Sequence, residues 1–566
     1  MTSSILLPLF GLVVSIQAKS FFRTDHVVRT KLGMIRGVGQ SLDNMSVSAF
    51  LGIPYGTTPL GNRRFKRAEM IEKWSGELEA NVAATTCYLT IDNTFPHFPG
   101  SEMWNPPGKI SEDCLNLNIW VPEDHDGSVM IWIYGGGFFS GSPSLDLYSG
   151  TALAVKQHTI VVNINYRLGP FGFLYLGEDS EIQGNMGLLD QQLAIQWVYE
   201  NIGSFGGDVN RITLFGESAG SASVTAHLFA PKSWATATPS TMLELSLKLA
   251  KRVNCEGDVK QVTKCLQDVP AALIQNEADI ISMETGPAMT FAFAPVSSDP
   301  HFFQGDVFDK IRDRDFKKDI NMIIGTVKDE GTYWLPYYMA EDQYGFVFNH
   351  TISAEDPHNS AMISKSQFLA SIKAFLPYFG DSPLVENAFV NAYQNVSLDE
   401  LPQRRLRDGV ARFLGDLFFT CSLLEFADIL ADNIFGNVYM YYFTRRSSAN
   451  PWPRWMGQLS ELVMQIWTNF VNTGHVDSYW PRYNKVERKS LEIGESLLHQ
   501  KHNIIKDVHG AHCRLIEEAK SFTSKPRECR TRRQPPMPTA SRLSNSALNV
   551  LTLIPFLVVP YTLLYS

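Results

Sequence analysis

Ser218 lies between two glycines in the pattern Gly-x-Ser-x-Gly, here Gly216-Glu217-Ser218-Ala219-Gly220. A serine hydroxyl is a weak nucleophile, so it needs a base to take its proton and hydrogen-bond donors to stabilise the oxyanion that forms. The pattern alone is weak evidence for a catalytic serine, since a chain of this length contains about 0.2 copies by chance. Its flanks strengthen it, because a strand-like run, Arg211–Phe215, precedes it and a helix-compatible segment, Ser221–Leu228, follows. A strand–turn–helix of this kind exposes the serine as a nucleophile; a purely structural turn is the alternative.

A glycine-rich segment supplies candidate donors for the oxyanion. Tyr134-Gly135-Gly136-Gly137-Phe138 follows an apolar run directly, and glycines allow the backbone to approach a substrate oxygen closely. We predict an oxyanion hole made by the N–H groups of Gly136, Gly137 and Ala219. Phosphate binding is the competing interpretation, but no Gly-x-x-x-x-Gly-Lys pattern follows.

These residues need a scaffold, and the alternation of short apolar runs with helical patterns predicts an α/β fold around a large, mostly parallel sheet. Val129–Tyr134 and Ile160–Ile164 have the pattern of buried strands, and Asn321–Val327 resembles another. Leu188–Ile202 is predicted to be a helix with one apolar face.

The composition is that of one large globular domain. The 566 residues are 44% hydrophobic and 19% charged, and the mean hydropathy is -0.10, which excludes a polytopic membrane protein. The net charge of -9 argues against a nucleic-acid partner. Residues 514–566 contain eight basic and three acidic residues, so the acidic surplus is concentrated in the rest of the chain.

Both ends differ from the body of the chain. Residues 1–18 are predicted to be a secretory signal peptide, with an N-terminal helix of the mature fold as the alternative. Residues 548–566 are almost wholly apolar and follow small residues, which predicts a C-terminal lipid-anchor signal that places the protein on the extracellular face of the membrane. A transmembrane helix is the alternative. Residues 19–520 form the predicted domain and residues 521–547 a Pro/Arg-rich stalk.

The cysteine pattern fits an oxidising compartment, because six of the seven cysteines can pair. Close spacing predicts Cys87–Cys114 and Cys255–Cys265, which leaves Cys421–Cys513, and Cys529 in the stalk is a candidate for a disulfide-linked homodimer. Metal ligation is the competing interpretation, but no Cys-x-x-Cys or zinc-spaced Cys/His cluster is present. Glycosylation sequons at Asn44, Asn349 and Asn395 agree with secretion.

Several motifs together resemble the type-B carboxylesterases of the cholinesterase class, and the acetylcholinesterases most of all. The resemblance runs from about Gly33 to Cys513, and it rests on the glycine-rich segment, the serine motif and the stretches Phe50–Gly56, Ser111–Asn116 and Lys328–Gly331. It implies an α/β-hydrolase fold. It also implies that Glu330 is the acidic member of a catalytic triad, with Asp329 as the alternative from the residues alone.

The resemblance further implies a pocket for a cationic ester. Trp104 matches the tryptophan whose face receives a choline ammonium group, a contact worth roughly 0.5–2 kcal/mol. The other implied substrate-binding residues are a second carboxylate, two tyrosines lining the pocket, an acidic residue at its mouth and two residues shaping the acyl pocket: Glu217, Tyr333, Tyr337, Asp92, Phe291 and Trp234.

Two departures from the family pattern matter. After Ala230-Pro231 the chain lacks the segment that supplies an interior strand in the family, so we expect the sheet to miss one member. After Gly457 the chain also lacks the loop that carries the catalytic histidine, and no histidine occurs between His358 and His475. We therefore assign no base, and we expect this exact chain to be inactive because triad members act as a unit.

The expected function is hydrolysis of choline esters through an acetyl-serine intermediate, with no metal or organic cofactor. A non-catalytic cholinesterase-like adhesion protein is the alternative from another class. The surface anchor and the missing histidine favour it, whereas Ser218, the glycine-rich segment, Glu330 and Trp104 oppose it. A broad-specificity carboxylesterase is a third interpretation, and Trp104, Tyr333 and Glu217 oppose it.

Overall fold

The computed structural model describes residues 26–228, 237–285, 289–445, 451–452, 462–521 and 548–553. The predicted signal peptide, Trp234 and Cys529 lie outside these residues. The strands of the described parts are β1 Val27–Arg29, β2 Met34–Arg36, β3 Val38–Leu42, β4 Met45–Pro54, β5 Glu77–Glu79, β6 Asn116–Pro122, β7 Val129–Ile133, β8 Ile160–Ile164, β9 Ile212–Glu217, β10 Ser298–Asp299, β11 Gly305–Asp306, β12 Ile320–Val327, β13 Val438–Phe443, β14 Lys489–Ile493, β15 Ile504–Lys506 and β16 Leu548–Leu553.

Helices cover the sheet on both faces. They are α1 Pro99–Glu102, α2 Thr151–Gln157, α3 Gly169–Phe173, α4 Met186–Asn201, α5 Ala219–Ala226, α6 Pro239–Arg252, α7 Val259–Asp268, α8 Ala271–Glu284, α9 Val307–Asp313, α10 Leu335–Tyr338, α11 Lys365–Lys373, α12 Pro383–Tyr393, α13 Pro402–Gly415, α14 Cys421–Asn433, α15 Leu462–Thr473, α16 Glu495–Leu498 and α17 Gly510–Ser521. Within the described ranges, none of them has the length and apolar character needed to cross a bilayer.

One large sheet organises the molecule. Its strand order is β15-β14-β13-β12-β16-β9-β7-β8-β6-β4-β3. The strands from β14 to β8 pair in parallel, whereas β15 at one edge and β6, β4 and β3 at the other pair antiparallel. The prediction of an α/β fold with a large, mostly parallel sheet is confirmed.

The central strands form where the sequence has continuous apolar runs. Every residue of β7 and β8 is buried, as expected for parallel strands covered by helices on both faces. The predicted bounds are correct for β8, one residue too long for β7, and close for β9 and β12. The predicted helix Leu188–Ile202 corresponds to α4.

An unexpected strand occupies the interior of the sheet. The described residues between β9 and β10 contain no strand, in agreement with the missing segment. The place between β9 and β12 is instead taken by β16, from the apolar C-terminal segment. Val550 pairs with Leu214 of β9 on one side and with Met322 of β12 on the other, both in parallel. The sheet is therefore continuous across the position where we expected a gap.

The described residues contain three disulfides. They are Cys87–Cys114, Cys255–Cys265 and Cys421–Cys513, which are the three predicted pairs. The first closes the loop that carries Asp92 and Trp104, and the third joins α14 to α17.

Candidate active site

Ser218 lies at a sharp turn between β9 and α5. Its backbone angles, φ 52° and ψ -121°, fall in a region that costs a non-glycine residue about 1–3 kcal/mol. The flanking glycines make the turn possible. A Cβ on Gly220 would lie 1.9 Å from the carbonyl oxygen of Ile133, and one on Gly216 would lie 2.6 Å from the Gly220 backbone. The turn therefore has the geometry of a nucleophile elbow, with the serine at the carboxyl end of a central strand.

The glycine-rich segment faces Ser218 from the end of the neighbouring strand β7. Gly136 and Gly137 have φ angles of 110° and 60°, which only glycine adopts readily. A Cβ on Gly135 would lie 2.9 Å from the Ser218 Cβ and 2.5 Å from Oε2 of Glu217. The absence of side chains on this segment thus creates the space in front of the serine.

A cavity of about 430 Å³ opens at this point, within the usual range for small-molecule sites. It brings together most of the predicted binding residues with the candidate nucleophile. The predicted residues that line it are Ser218, Glu217, Gly136, Trp104, Asp92, Tyr333, Tyr337 and Phe291. Gly137 and Ala219 are the chain neighbours of lining residues, and Glu330 is not part of the lining.

An aromatic and acidic set forms the wall opposite the serine turn. The rings of Trp104 and Tyr333 meet edge to face at 6.4 Å between centroids. The Tyr333 hydroxyl donates to that of Tyr337 at 3.3 Å, and the Tyr337 hydroxyl donates to Asp92 Oδ2 at 2.9 Å. Burial raises the pKa of both tyrosines, so they remain neutral phenols.

The loop closed by Cys87–Cys114 fixes Asp92 relative to Trp104. Asn105, the residue after Trp104, accepts a hydrogen bond from the Asp92 N–H at 2.9 Å and donates to the Asp92 carbonyl at 2.8 Å. The negative charge and the indole are therefore held together, as a site for an organic cation requires.

Glu330 is buried at the end of β12. Its Oε1 accepts hydrogen bonds from the Thr326 hydroxyl at 2.7 Å and from the Val327 N–H at 2.8 Å. Burial raises its pKa to about 8, although these two hydrogen bonds act in the opposite direction. Burial, and then the charge of Glu330, likewise raise the pKa of Glu217 to about 8. Two interacting carboxyl groups with raised pKa values, one of them next to the serine, are typical of a functional site.

Comparison with known proteins identifies the family. Residues 24–461 match the model of the carboxylesterase family. A mouse cholinesterase is 35% identical over 529 residues, which cover 84% of each chain. Acetylcholinesterase 4 of Caenorhabditis briggsae is 36% identical, over 81% of this chain and 84% of its own. The zebrafish acetylcholinesterase is 35% identical, over 83% and 85%.

The chain belongs to the carboxylesterase family. This membership agrees with the α/β architecture and gives carboxylic ester hydrolysis as the class of chemistry that the cavity supports.

The histidines of this chain lie away from the cavity lining. All thirteen fall within the described residues, and none of them lines the cavity. His227, on the turn after α5, is hydrogen-bonded to Gln191, and burial lowers its pKa to about 4. His509 and His512 both contact Asp416, on the side of α17. No histidine is therefore in place to accept the proton of Ser218.

The other histidines that follow Glu330 in the chain also contact groups outside the cavity lining. His350 meets the ring of Phe95, His358 bonds to Asp356, His499 is near Glu495 and His502 stacks on Tyr479, while the N–H of His475 bonds to Thr473.

Sequence reasoning missed one wall of the cavity. Gln275, Asp279 and Ser282 of α8 line it, and the Thr90 hydroxyl donates to Asp279. The helical spacing of these three residues shows that they share a face, but nothing local shows that this face meets the serine turn. In the predicted acyl pocket, Phe291 packs against Phe139 with ring centroids 5.3 Å apart.

Proposed function

We propose that this carboxylesterase binds choline esters and transfers their acyl group to Ser218. The observation that carries the proposal is that one cavity holds the serine at its strained turn, the glycine-rich segment and the Trp104–Asp92 set. The serine turn and the glycine-rich segment suit acyl transfer, and the Trp104–Asp92 set suits binding of the cationic alcohol part of the ester.

The cation site follows from charge and ring geometry. An ammonium group over the indole of Trp104 interacts with the ring quadrupole, and Asp92 provides an opposite charge on the same wall. The Tyr333 and Tyr337 rings contribute further electron-rich surface. Phe139 and Phe291 narrow the opposite side, which favours a short acyl group such as acetyl.

Acyl transfer follows from the serine turn. The Ser218 oxygen attacks the ester carbonyl, and the N–H groups of Gly136, Gly137 and Ala219 stabilise the oxyanion. The alcohol leaves, and water then hydrolyses the acyl-serine. Without a histidine in the cavity we expect slow turnover, because loss of one triad member leaves only about 10³–10⁴-fold catalysis over water.

The secretory route is part of the same proposal. The three disulfides require an oxidising compartment. The sequon residues Asn44, Asn349 and Asn395 are all exposed, as glycosylation requires.

The decisive test compares charged and neutral ligands. We expect Trp104→Ala to weaken binding of tetraethylammonium by about 10-fold or more, from the loss of the cation–π contact, and to leave binding of a neutral ligand of equal size nearly unchanged. Calorimetry measures both affinities. Trp74→Ala is the matched control, because Trp74 lies outside the cavity and donates to the Met34 carbonyl.

Labelling of the serine tests the second half of the proposal. A fluorophosphonate should label the full chain at Ser218 and fail to label Ser218→Ala. Failure of the fluorophosphonate to label the chain would contradict acyl transfer at Ser218 and favour a non-catalytic binding function. Equal loss of charged and neutral ligands in Trp104→Ala would contradict the choline-ester assignment.

A further inference from the structure

Glu217 shares the space in front of Ser218. Both side chains approach the point where a Cβ on Gly135 would lie, Glu217 Oε2 at 2.5 Å and Ser218 Cβ at 2.9 Å. The serine oxygen is one bond beyond its Cβ. These two distances place the carboxylate oxygen within about 5.4 Å of the Ser218 Cβ, a separation that one bridging water spans, as a general base requires.

The other carboxyl groups of the site are less well placed. Glu330 does not line the cavity, and its Oε1 is committed to Thr326 and Val327. Asp92 accepts from the Tyr337 hydroxyl, and Asp279 accepts from Thr90 and Gln275. Among the described residues, Glu217 is thus the cavity-lining carboxyl group that adjoins the serine.

We infer that Glu217 is the general base for Ser218 in this chain, in the part that histidine plays in a Ser–His–Asp triad. The inference rests on the proposed acyl transfer at Ser218. The two proposals can fail separately, because the base is tested with neutral probes and the cation site is tested with Trp104→Ala.

The surroundings of Glu217 suit the role. The titratable groups that interact with it are Glu330, Tyr148, Tyr166 and Tyr333, of which Glu330 and Tyr166 are buried, Tyr148 and Tyr333 are half-buried, and none is a cation. Burial and the charge of Glu330 keep the pKa of Glu217 near 8, where a base is strong enough to accept a proton and still partly ionised. A carboxylate at its ordinary pKa would be a far weaker base.

The proton balance closes without another reactant. The Ser218 O–H bond breaks as the oxygen bonds to the carbonyl carbon, and the proton moves to the Glu217 carboxylate. The ester C–O bond then breaks, and Glu217 returns the proton to the departing alcohol. In the second half, the water oxygen attacks the acyl carbon while Glu217 takes a proton from that water. Glu217 then protonates the Ser218 oxygen as it leaves.

The test follows the reactivity of the serine against pH in the full chain. We expect the rate of fluorophosphonate labelling, and of p-nitrophenyl acetate hydrolysis, to rise between pH 6 and 9 with an inflection near 8. Glu217→Gln has the same shape but cannot take a proton. It should lower both rates by about 10²–10⁴-fold and remove the inflection.

Two further variants separate a base from a structural role. Glu217→Asp keeps a carboxylate and should retain an inflection at a reduced rate, whereas a merely structural Glu217 would be replaced better by the isosteric glutamine. Glu200→Gln, on the exposed face of α4, is the matched control and should behave as the original chain.

The outcome that overturns the inference is a Glu217→Gln variant that is labelled as fast as the original chain with the same pH profile. Both probes are neutral, so that result would leave the cation site intact. Conversely, failure of the Trp104→Ala comparison would remove the choline-ester assignment and leave the role of Glu217 standing.

Discussion

At the scale of single residues, burial governs the chemistry of this site. Glu217 and Glu330 are 4% and 6% exposed, and desolvation is the largest cause of the raised pKa of each. Most of both groups is therefore protonated at neutral pH. A neutral Glu330 is easier to bury, but it cannot stabilise a positive charge on a neighbouring base.

The raised pKa of Glu330 predicts a pH-dependent cost to stability. The unfolded carboxyl group titrates near 4.5 and the folded one near 8, so in this window the folded state binds a proton that the unfolded state lacks. Stability must then fall as pH rises from about 4.5 to about 8. Glu330→Gln removes this dependence while its amide oxygen can still accept from Thr326 and Val327. We expect its melting temperature, relative to the original chain, to be higher at pH 8.5 than at pH 5.

Thermal unfolding followed by circular dichroism checks this prediction. Glu200→Gln, at an exposed position, should show the same difference from the original chain at both pH values. An advantage of Glu330→Gln that shrinks as pH rises would contradict a raised folded pKa.

At the scale of elements, the sequence predicted the strands and turns that depend on neighbouring residues. The strands β7, β8 and β9 and the turn at Ser218 were found from continuous apolar runs and from glycines at fixed positions. The face of α8 and the place of β16 were not, because both depend on contacts between distant parts of the chain. The apolar character of Leu548–Leu553 suits a bilayer and the interior of a sheet equally well, so the sequence alone could not choose between them.

The strand β16 and the predicted lipid anchor exclude each other in one molecule, because attachment of a lipid before residue 548 removes the strand. This conflict can be tested by cross-linking. In a Cys529→Ser background, Leu214→Cys with Val550→Cys places two cysteines in register on neighbouring strands, within the Cα separation that a disulfide spans. We expect this pair to form a disulfide, detected as linked peptides by mass spectrometry.

The matched control is Leu214→Cys with Leu553→Cys. Leu553 pairs with Glu217, three residues further along β9, so this pair is about 10 Å apart and should not link. A mature protein without the peptide 548–566 would show that the anchor signal is used and that β16 is absent from the finished molecule.

At the scale of the whole molecule, charge favours the arrival of a cation. The chain carries -9, and its C-terminal part is basic, so the body that contains the cavity is more acidic than the total. Asp92 and Asp279 line the cavity itself. A low-dielectric cleft lined by one sign of charge concentrates the opposite ion and raises association rates by about 10–10³-fold.

This field predicts binding kinetics that depend on salt. Because the Debye length falls from about 30 Å at 0.01 M to about 3 Å at 1 M, the association rate constant of a fluorescent quaternary ammonium ligand should fall by about 10-fold or more over that range. Stopped-flow fluorescence measures the rate, and a neutral ligand of equal size should show little change. Asp92→Asn retains an oxygen that can accept from the Tyr337 hydroxyl. It should make the association rate constant of the charged ligand depend less steeply on salt concentration. Equal slopes for the charged and the neutral ligand would mean that the acidic body has no part in recognition, and that the Trp104 wall alone selects the cation.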